Sequence, residues 1–85
     1  MEAYAIEVEP RVLRSLRRIN QAGQRRILDR IESLAADPRP AGCEKLQGAE
    51  GLRVRQGDYR IIYTIDDSKR VVTVTKVGHR RDVYR

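Results

Sequence analysis

The chain opens with alternating hydrophobic and polar positions. Tyr4, Ile6 and Val8 are separated by small or acidic residues, and this alternation predicts a strand with one apolar face. Pro10 follows, and its fixed φ and missing N–H suit the first turn of a helix. We therefore expect a strand that leads directly into a helix.

Two runs with helical spacing come next. The apolar stripe of the first run, within residues 11–20, consists of Val12, Leu13, Leu16 and Ile19. The second stripe consists of Ile27, Leu28, Ile31, Leu34 and Ala35. Residues 20–23 form a short break between the runs, and Pro38 ends the second one. The pattern predicts a hairpin of two amphipathic helices.

The second half of the chain contains three candidate strands at residues 52–56, 58–66 and 70–78, joined by turns rich in Gly, Asp and Ser. The predicted fold is a single α+β domain over residues 1–85, ordered β-α-α-β-β-β, with the helical hairpin on one face of a small, mainly antiparallel sheet. We expect irregular residues 42–51 to lead Leu46 into the core.

Arginines occupy alternate positions in these strands. Because side chains alternate between the two faces, Arg53 and Arg55 should point away from Leu52 and Val54. In the next strand, Arg60 lies on the face opposite to the one shared by Tyr59, Ile61, Tyr63 and Ile65. If the helices cover the apolar side, the uncovered face of the sheet is basic, and a guanidinium buried there needs a partner.

The charge is consistent with an anionic partner. The formal net charge is +6, and residues 45–85 carry 10 basic and 5 acidic side chains. Fifteen of the 18 basic residues are arginine, which favours bidentate contacts to phosphate or carboxylate. A nucleic acid or an acidic protein fits this charge. A generally arginine-rich proteome explains it equally well.

Several other chemistries have little support. Cys43 is the only cysteine and His79 the only histidine, so neither a disulfide framework nor a metal site is expected, and no cofactor motif is present. No motif flanks a serine or Cys43 as a nucleophile paired with His79. No stretch resembles a signal peptide or a membrane span. We expect a cytoplasmic, soluble protein.

RNA cleavage needs fewer groups, because the ribose 2′-OH can attack the adjacent phosphorus. A protein must then orient the chain, stabilise phosphoryl charge and manage two protons. Arginines suit the first two tasks, and His79 is the candidate for proton transfer. Tyr84 could stack on a base. Alternatively, His79 is a solvated residue at a strand end and the arginines form a solvated face or a docking site for an acidic peptide.

The C-terminal segment HRRDVYR adds to this surface. It is expected to bring an imidazole, three guanidiniums and a phenol close to one face of the sheet. The residues expected to bind RNA are Lys45, Arg53, Arg55, Arg60, Lys76, Arg81 and Arg85.

Three segments, EKLQG (44–48), LRVRQGDYRIIYTID (52–66) and VTKVGHRRDVYR (74–85), together resemble the RelE branch of the RelE/ParE toxin superfamily. The resemblance covers nearly the whole chain. It implies a toxin of a type II toxin-antitoxin system that is a metal-independent endoribonuclease: it enters the ribosomal A site, cleaves mRNA and stops translation. It also implies a cognate antitoxin that covers the basic face.

The resemblance assigns roles residue by residue. Arg53 and Arg55 match the basic pair that faces the scissile phosphate, and Arg60 matches the arginine that holds it. Arg80 matches the residue assigned to leaving-group stabilisation, and Tyr84 the tyrosine that stacks on the substrate base. The best-studied pattern has lysines in place of Arg53 and Arg55. His79 is therefore our candidate for part of the proton transfer.

Two other functions remain open. ParE-like toxins share the architecture and poison DNA gyrase, but they have no need of Arg60, Arg80 and Tyr84 together. A non-catalytic module that binds RNA or an acidic protein is the third possibility.

Overall fold

The computed structural model describes residues 3–80, and in this range two helices pack on one face of a five-stranded sheet. The elements are β1 (Ala5–Val8), α1 (Pro10–Leu16), α2 (Gln21–Ser33), β2 (Glu44–Lys45), β3 (Leu52–Gln56), β4 (Tyr59–Asp66) and β5 (Val71–His79). The strand order across the sheet is β1-β5-β4-β3-β2. Only the β1–β5 pair is parallel among these neighbours. The predicted α+β fold class is confirmed.

The helix boundaries differ from the prediction at the hairpin. Asn20 caps α2, because its side-chain oxygen accepts a hydrogen bond of 2.8 Å from the Gly23 N–H. Gly23 therefore lies inside α2, and the break between the helices falls at residues 17–20 rather than 20–23. Within residues 3–80, neither helix has the length and apolar character needed to cross a membrane.

Part of each predicted helical stripe lies in the core, whereas Leu13 and Leu28 are exposed. The buried side chains of the helices are Val12, Leu16, Ile27, Ile31 and that of Leu34 at the end of α2. The sheet contributes Val54, Ile61, Tyr63, Val72, Val74 and Val77. Each such aliphatic side chain stabilises the fold by roughly 1.5–3 kcal/mol relative to an exposed position. This burial holds the hairpin on one face of the sheet, and no helix of residues 3–80 covers the other face.

The segment between α2 and β3 differs from the expectation. Glu44 and Lys45 form a short edge strand paired with Arg53 and Leu52. Leu46 is only half-buried and lies outside the core cluster, so its predicted place in the core is wrong. The cause is the tight turn into β3, where Gly51 has a φ of 130° and Leu46 donates its N–H to the Gly51 carbonyl.

A β-bulge interrupts the pairing of β4 with β5. Ile62 pairs with Lys76, whereas Tyr63 pairs with Val74, so Thr75 is the extra residue. The Thr75 hydroxyl donates a 3.3 Å hydrogen bond to the Ile62 carbonyl. Beyond the bulge, the β5 side chains point to the opposite faces from those that regular alternation would give. Val77 and His79 consequently lie on the helix side of the sheet.

Candidate nucleic-acid interface

The face of the sheet away from the helices is basic, as predicted. Arg55 lies directly opposite Arg60 in the β3–β4 pairing, and Arg53 lies opposite Ile62. Val54 and Ile61 form the pair between them and are buried on the helix side. The register therefore places the three arginine side chains together on the uncovered face, which we call the arginine face.

Arg60 is the centre of this face. Only 8% of its surface is exposed, and its Nη1 donates a long, 3.5 Å hydrogen bond to the Tyr59 carbonyl. Its buried Nε has no hydrogen-bond partner among residues 3–80. Burial lowers the pKa of Arg60 below its ordinary value, and the nearby charges of Arg55, Arg53 and Arg80 lower it further. An anion would offset both effects.

Arg53 and Arg55, the other two arginines of the face, differ in exposure and in ion pairing. The Arg53 side chain is 20% exposed and forms a 3.1 Å ion pair with Glu44 on the edge strand β2. Arg55 is exposed. Glu44 was not among the residues predicted for the site, although its position beside Lys45 in the EKLQG segment offered a signal. Within residues 3–80, Arg53 is thus held by a carboxylate, whereas Arg60 forms no ion pair.

Arg80 reaches the same region from β5. Its backbone N–H donates a 2.8 Å hydrogen bond to the Asp58 carbonyl in the turn between β3 and β4. Arg80 itself is exposed, and its charge contributes to the lowered pKa of Arg60. The end of β5 is therefore tied to the turn next to the arginine face.

His79 lies on the other side of the sheet. It pairs with Tyr59, whose side chain shares the helix side with Ile61, and the two rings meet edge to face at 5.8 Å. The expectation that the imidazole lies beside the guanidiniums is therefore corrected, and the bulge at Thr75 is the reason. A spacing of three between Val74 and Val77 was the available sequence signal.

The remaining predicted residues are dispersed. Lys45 pairs with Leu52, so the register directs it away from the arginine face. Lys76 lies at the bulge opposite Ile62, as Arg53 does on the other side of β4, so the register places Lys76 on the arginine face. Arg81, Tyr84 and Arg85 lie outside the described residues.

The geometry supports anion binding. Guanidinium groups can contact two oxygens of one phosphate, and several cations around a partly dehydrated centre increase the attraction. In residues 3–80 no group of three or more His, Cys, Asp or Glu side chains is arranged to hold a metal ion.

Several proteins similar to this chain are described as toxins. The putative toxin RelE1 of Methanocaldococcus jannaschii is 26% identical over 86 residues, which cover 96% of each chain. RelE in the RelE–RelB complex of Pyrococcus horikoshii superposes with a TM-score of 0.82 at 28% identity, over 94% of this chain and 98% of that one. The isolated E. coli RelE toxin gives a TM-score of 0.77 at 26% identity, over 96% and 92% of the two chains.

A family model gives the assignment. Residues 6–84 match the model described as the ParE toxin of the type II toxin-antitoxin system parDE. The match spans nearly the whole chain, and the relatives just described carry RelE names. The chain therefore belongs to the RelE/ParE family of type II toxin-antitoxin toxins.

Proposed function

We propose that the protein is an endoribonuclease toxin that cleaves mRNA in the ribosomal A site and so inhibits translation. The observation that carries this proposal is the state of Arg60: a cation only 8% exposed, surrounded by other arginines, with a buried Nε that lacks a partner in residues 3–80. Such a centre is suited to an anion that gains charge during a reaction.

Cleavage would use the RNA's own nucleophile. The ribose 2′-oxygen bonds to phosphorus, the bond to the 5′-oxygen breaks, and the products are a 2′,3′-cyclic phosphate and a 5′-hydroxyl. Arg60, with Arg53 and Arg55, would stabilise the phosphoryl oxygens, whose charge is greatest in the transition state. Arg80 would stabilise the leaving oxygen.

The protons would be exchanged with water. Guanidinium groups remain charged at neutral pH and do not serve as general bases there. In this proposal the 2′-hydroxyl proton passes to water and the 5′-oxygen receives one from water. The ribosome would contribute the in-line geometry, since an open sheet face holds a phosphate without bending the RNA chain.

A cognate antitoxin is the proposed second partner. The Pyrococcus horikoshii and Methanococcus jannaschii relatives were solved as RelB–RelE complexes. On this chain, antitoxin carboxylates would pair with the arginine face and take the place of the phosphate. Inhibition then follows from competition between two anionic partners for the same cations.

The test is a translating extract with a defined message, in which new 5′ ends are mapped by primer extension. We expect cuts in the A-site codon that Arg60→Ala and Arg80→Ala lose. Arg25→Ala is the matched control, because Arg25 lies on α2 with 82% of its side chain exposed. An intact message together with inhibited DNA gyrase supercoiling would replace this proposal with the gyrase-directed one.

A further inference from the structure

A second basic groove lies on the opposite side of the sheet end, between α1 and β5. It has a volume of about 510 Å³ and is lined by Ser15, Arg18, Ile19, Tyr59, Lys76, Val77, Gly78 and His79. A smaller space of about 150 Å³ shares Ser15, Lys76 and Val77 and extends along α1 to Arg11. We call the first space the α1–β5 groove.

The charge of the α1–β5 groove favours an anion. Arg18 is the cation that lines it from the helix side, and no carboxylate of residues 3–80 lines it. Lys76 also borders the groove, but its pairing with Ile62 places its side chain on the arginine-face side of β5. Other grooves of the described chain include Glu50, Glu44 or Asp58 in their linings. A cation attracts a phosphate more strongly when no carboxylate lies nearby. This groove is therefore better suited to a phosphate than those three are.

The groove also has an aromatic wall and an open strand edge. Tyr59 and His79 meet edge to face with an interplanar angle of 82°, so the two rings present surfaces in different directions. β1 pairs with β5 only through Val74, and no other strand of residues 3–80 covers that edge farther along. Backbone groups of β5 are thus placed to hydrogen-bond a base edge.

The position of the groove follows from strand alternation. Tyr59 and His79 precede Arg60 and Arg80 in the chain, and neighbouring side chains of a strand point to opposite faces. The arginine face and the α1–β5 groove therefore meet at the same end of the sheet. An RNA strand bound at Arg60 would reach the groove by passing Arg80 around this end.

We propose that the α1–β5 groove binds a nucleotide adjacent to the scissile site, with its base against Tyr59 and His79 and its phosphate near Arg18. This inference rests on the proposed function, because it adds a second subsite for the same single-stranded RNA. His79 acts in it as a binding residue, which accounts for its location away from the arginines.

The test measures binding of a short single-stranded RNA whose 2′-O-methyl groups prevent cleavage, by fluorescence anisotropy at low salt. Arg18→Gln, His79→Gln and Tyr59→Leu should each weaken binding about tenfold, within the range of a lost base–aromatic stack or phosphate contact. Tyr59→Phe retains the ring and should bind nearly as tightly as the parent. Thermal unfolding of each variant checks that it folds.

Controls separate this inference from the proposed function. Arg25→Gln removes the same charge as Arg18→Gln at an exposed position of α2 and should change the affinity much less. If both variants lose the same RNA affinity, the effect is a general attraction of RNA to positive charge, and the proposed binding site in the groove is wrong. If Arg60→Ala abolishes cleavage while the groove variants bind RNA normally, the nucleotide site in the groove is wrong and the proposed endoribonuclease activity is retained. If the groove variants weaken only an acidic antitoxin peptide, the groove binds protein and the nucleotide proposal is wrong.

Discussion

Arg55 and Arg60 are directly opposed across β3 and β4 on the same face of the sheet. Like charges in this arrangement destabilise a sheet, and the burial of Arg60 adds a cost of dehydration. The core on the other side, including the Val54–Ile61 pair, holds the strands in register despite this repulsion. The charges of Arg55 and Arg60 therefore lower the stability of the free protein. The same pair of charges favours binding of an anion.

Replacing Arg60 with an apolar residue of similar length should separate stability from activity. Arg60→Met removes a buried charge and its repulsion with Arg55, so we expect a gain of about 1 kcal/mol in the free energy of unfolding. For a domain of this size the melting temperature then rises by roughly 4–8 °C. Cleavage of mRNA should fall by about 10²–10³, as for loss of a charge-stabilising donor. Calorimetry and primer extension measure the two effects.

Arg25→Met is the control for this substitution, since it exchanges the same side chains at an exposed site on α2. It should change neither the melting temperature nor cleavage appreciably. A lower melting temperature for Arg60→Met would show that Arg60 contributes to stability in the free protein and would contradict the interpretation of a strained cation.

Inorganic phosphate should stabilise the protein through the same residue. An anion that binds only the folded state raises the melting temperature as its concentration rises. At constant ionic strength, we expect phosphate to raise the melting temperature of the parent and to have little effect on Arg60→Met. Chloride at matched ionic strength is the reference. An equal response of both proteins would mean that phosphate does not bind at Arg60.

Local patterns were sufficient to predict the arginine face. β3 begins and ends at the predicted residues, and the alternation within it correctly separated Arg53 and Arg55 from Val54. The prediction succeeded because β3 pairs with β4 without a bulge. Side chains along both paired strands therefore alternate regularly between the two faces of the sheet.

The position of His79 could not be predicted by the same rule. Strict alternation from Val74 would direct Lys76 and Gly78 inward, but Thr75 forms a bulge and Val77 is buried instead. A bulge depends on the register of two strands that are distant in sequence, here β4 and β5. The sequence of β5 alone shows an interrupted spacing but not which strand accommodates it.

The Tyr63 hydroxyl supports the connection between α2 and the sheet. It donates a 2.7 Å hydrogen bond to the Pro38 carbonyl, and burial raises the pKa of Tyr63 to about 12. Tyr63→Phe leaves that carbonyl without its donor and should lower the free energy of unfolding by about 1 kcal/mol. Urea unfolding at neutral pH measures this difference.

The same hydroxyl predicts an alkaline effect. Because the pKa of Tyr63 is higher in the folded protein than the ordinary value of 10.0, its stabilisation is complete below about pH 10 and is lost as the pH rises through about 12. The stability of the parent should fall toward that of Tyr63→Phe over this window. A difference that stays constant between pH 9 and pH 12 would argue against the hydroxyl as its source.

Asp67 predicts the corresponding behaviour in acid. Its carboxylate accepts hydrogen bonds of 2.9 and 3.3 Å from Arg39 and of 2.6 Å from the Tyr4 hydroxyl. These bonds, that of Arg39 foremost, lower the pKa of Asp67 to about 2 from the ordinary 3.8. The folded state therefore binds this proton less tightly than the unfolded state does, and the stabilisation is present above about pH 4 and disappears as the pH falls through about 2.

Asp67→Asn should accordingly lower the melting temperature at neutral pH and match the parent near pH 2. Tyr4→Phe removes one of the donors and should give a smaller loss. Asp29→Asn is the control, because Asp29 forms a single 3.8 Å ion pair with Arg25 on the surface of α2. If Asp29→Asn and Asp67→Asn lower the melting temperature equally, the contacts of Asp67 with Arg39 and Tyr4 do not stabilise this end of the sheet more than an ordinary surface pair does.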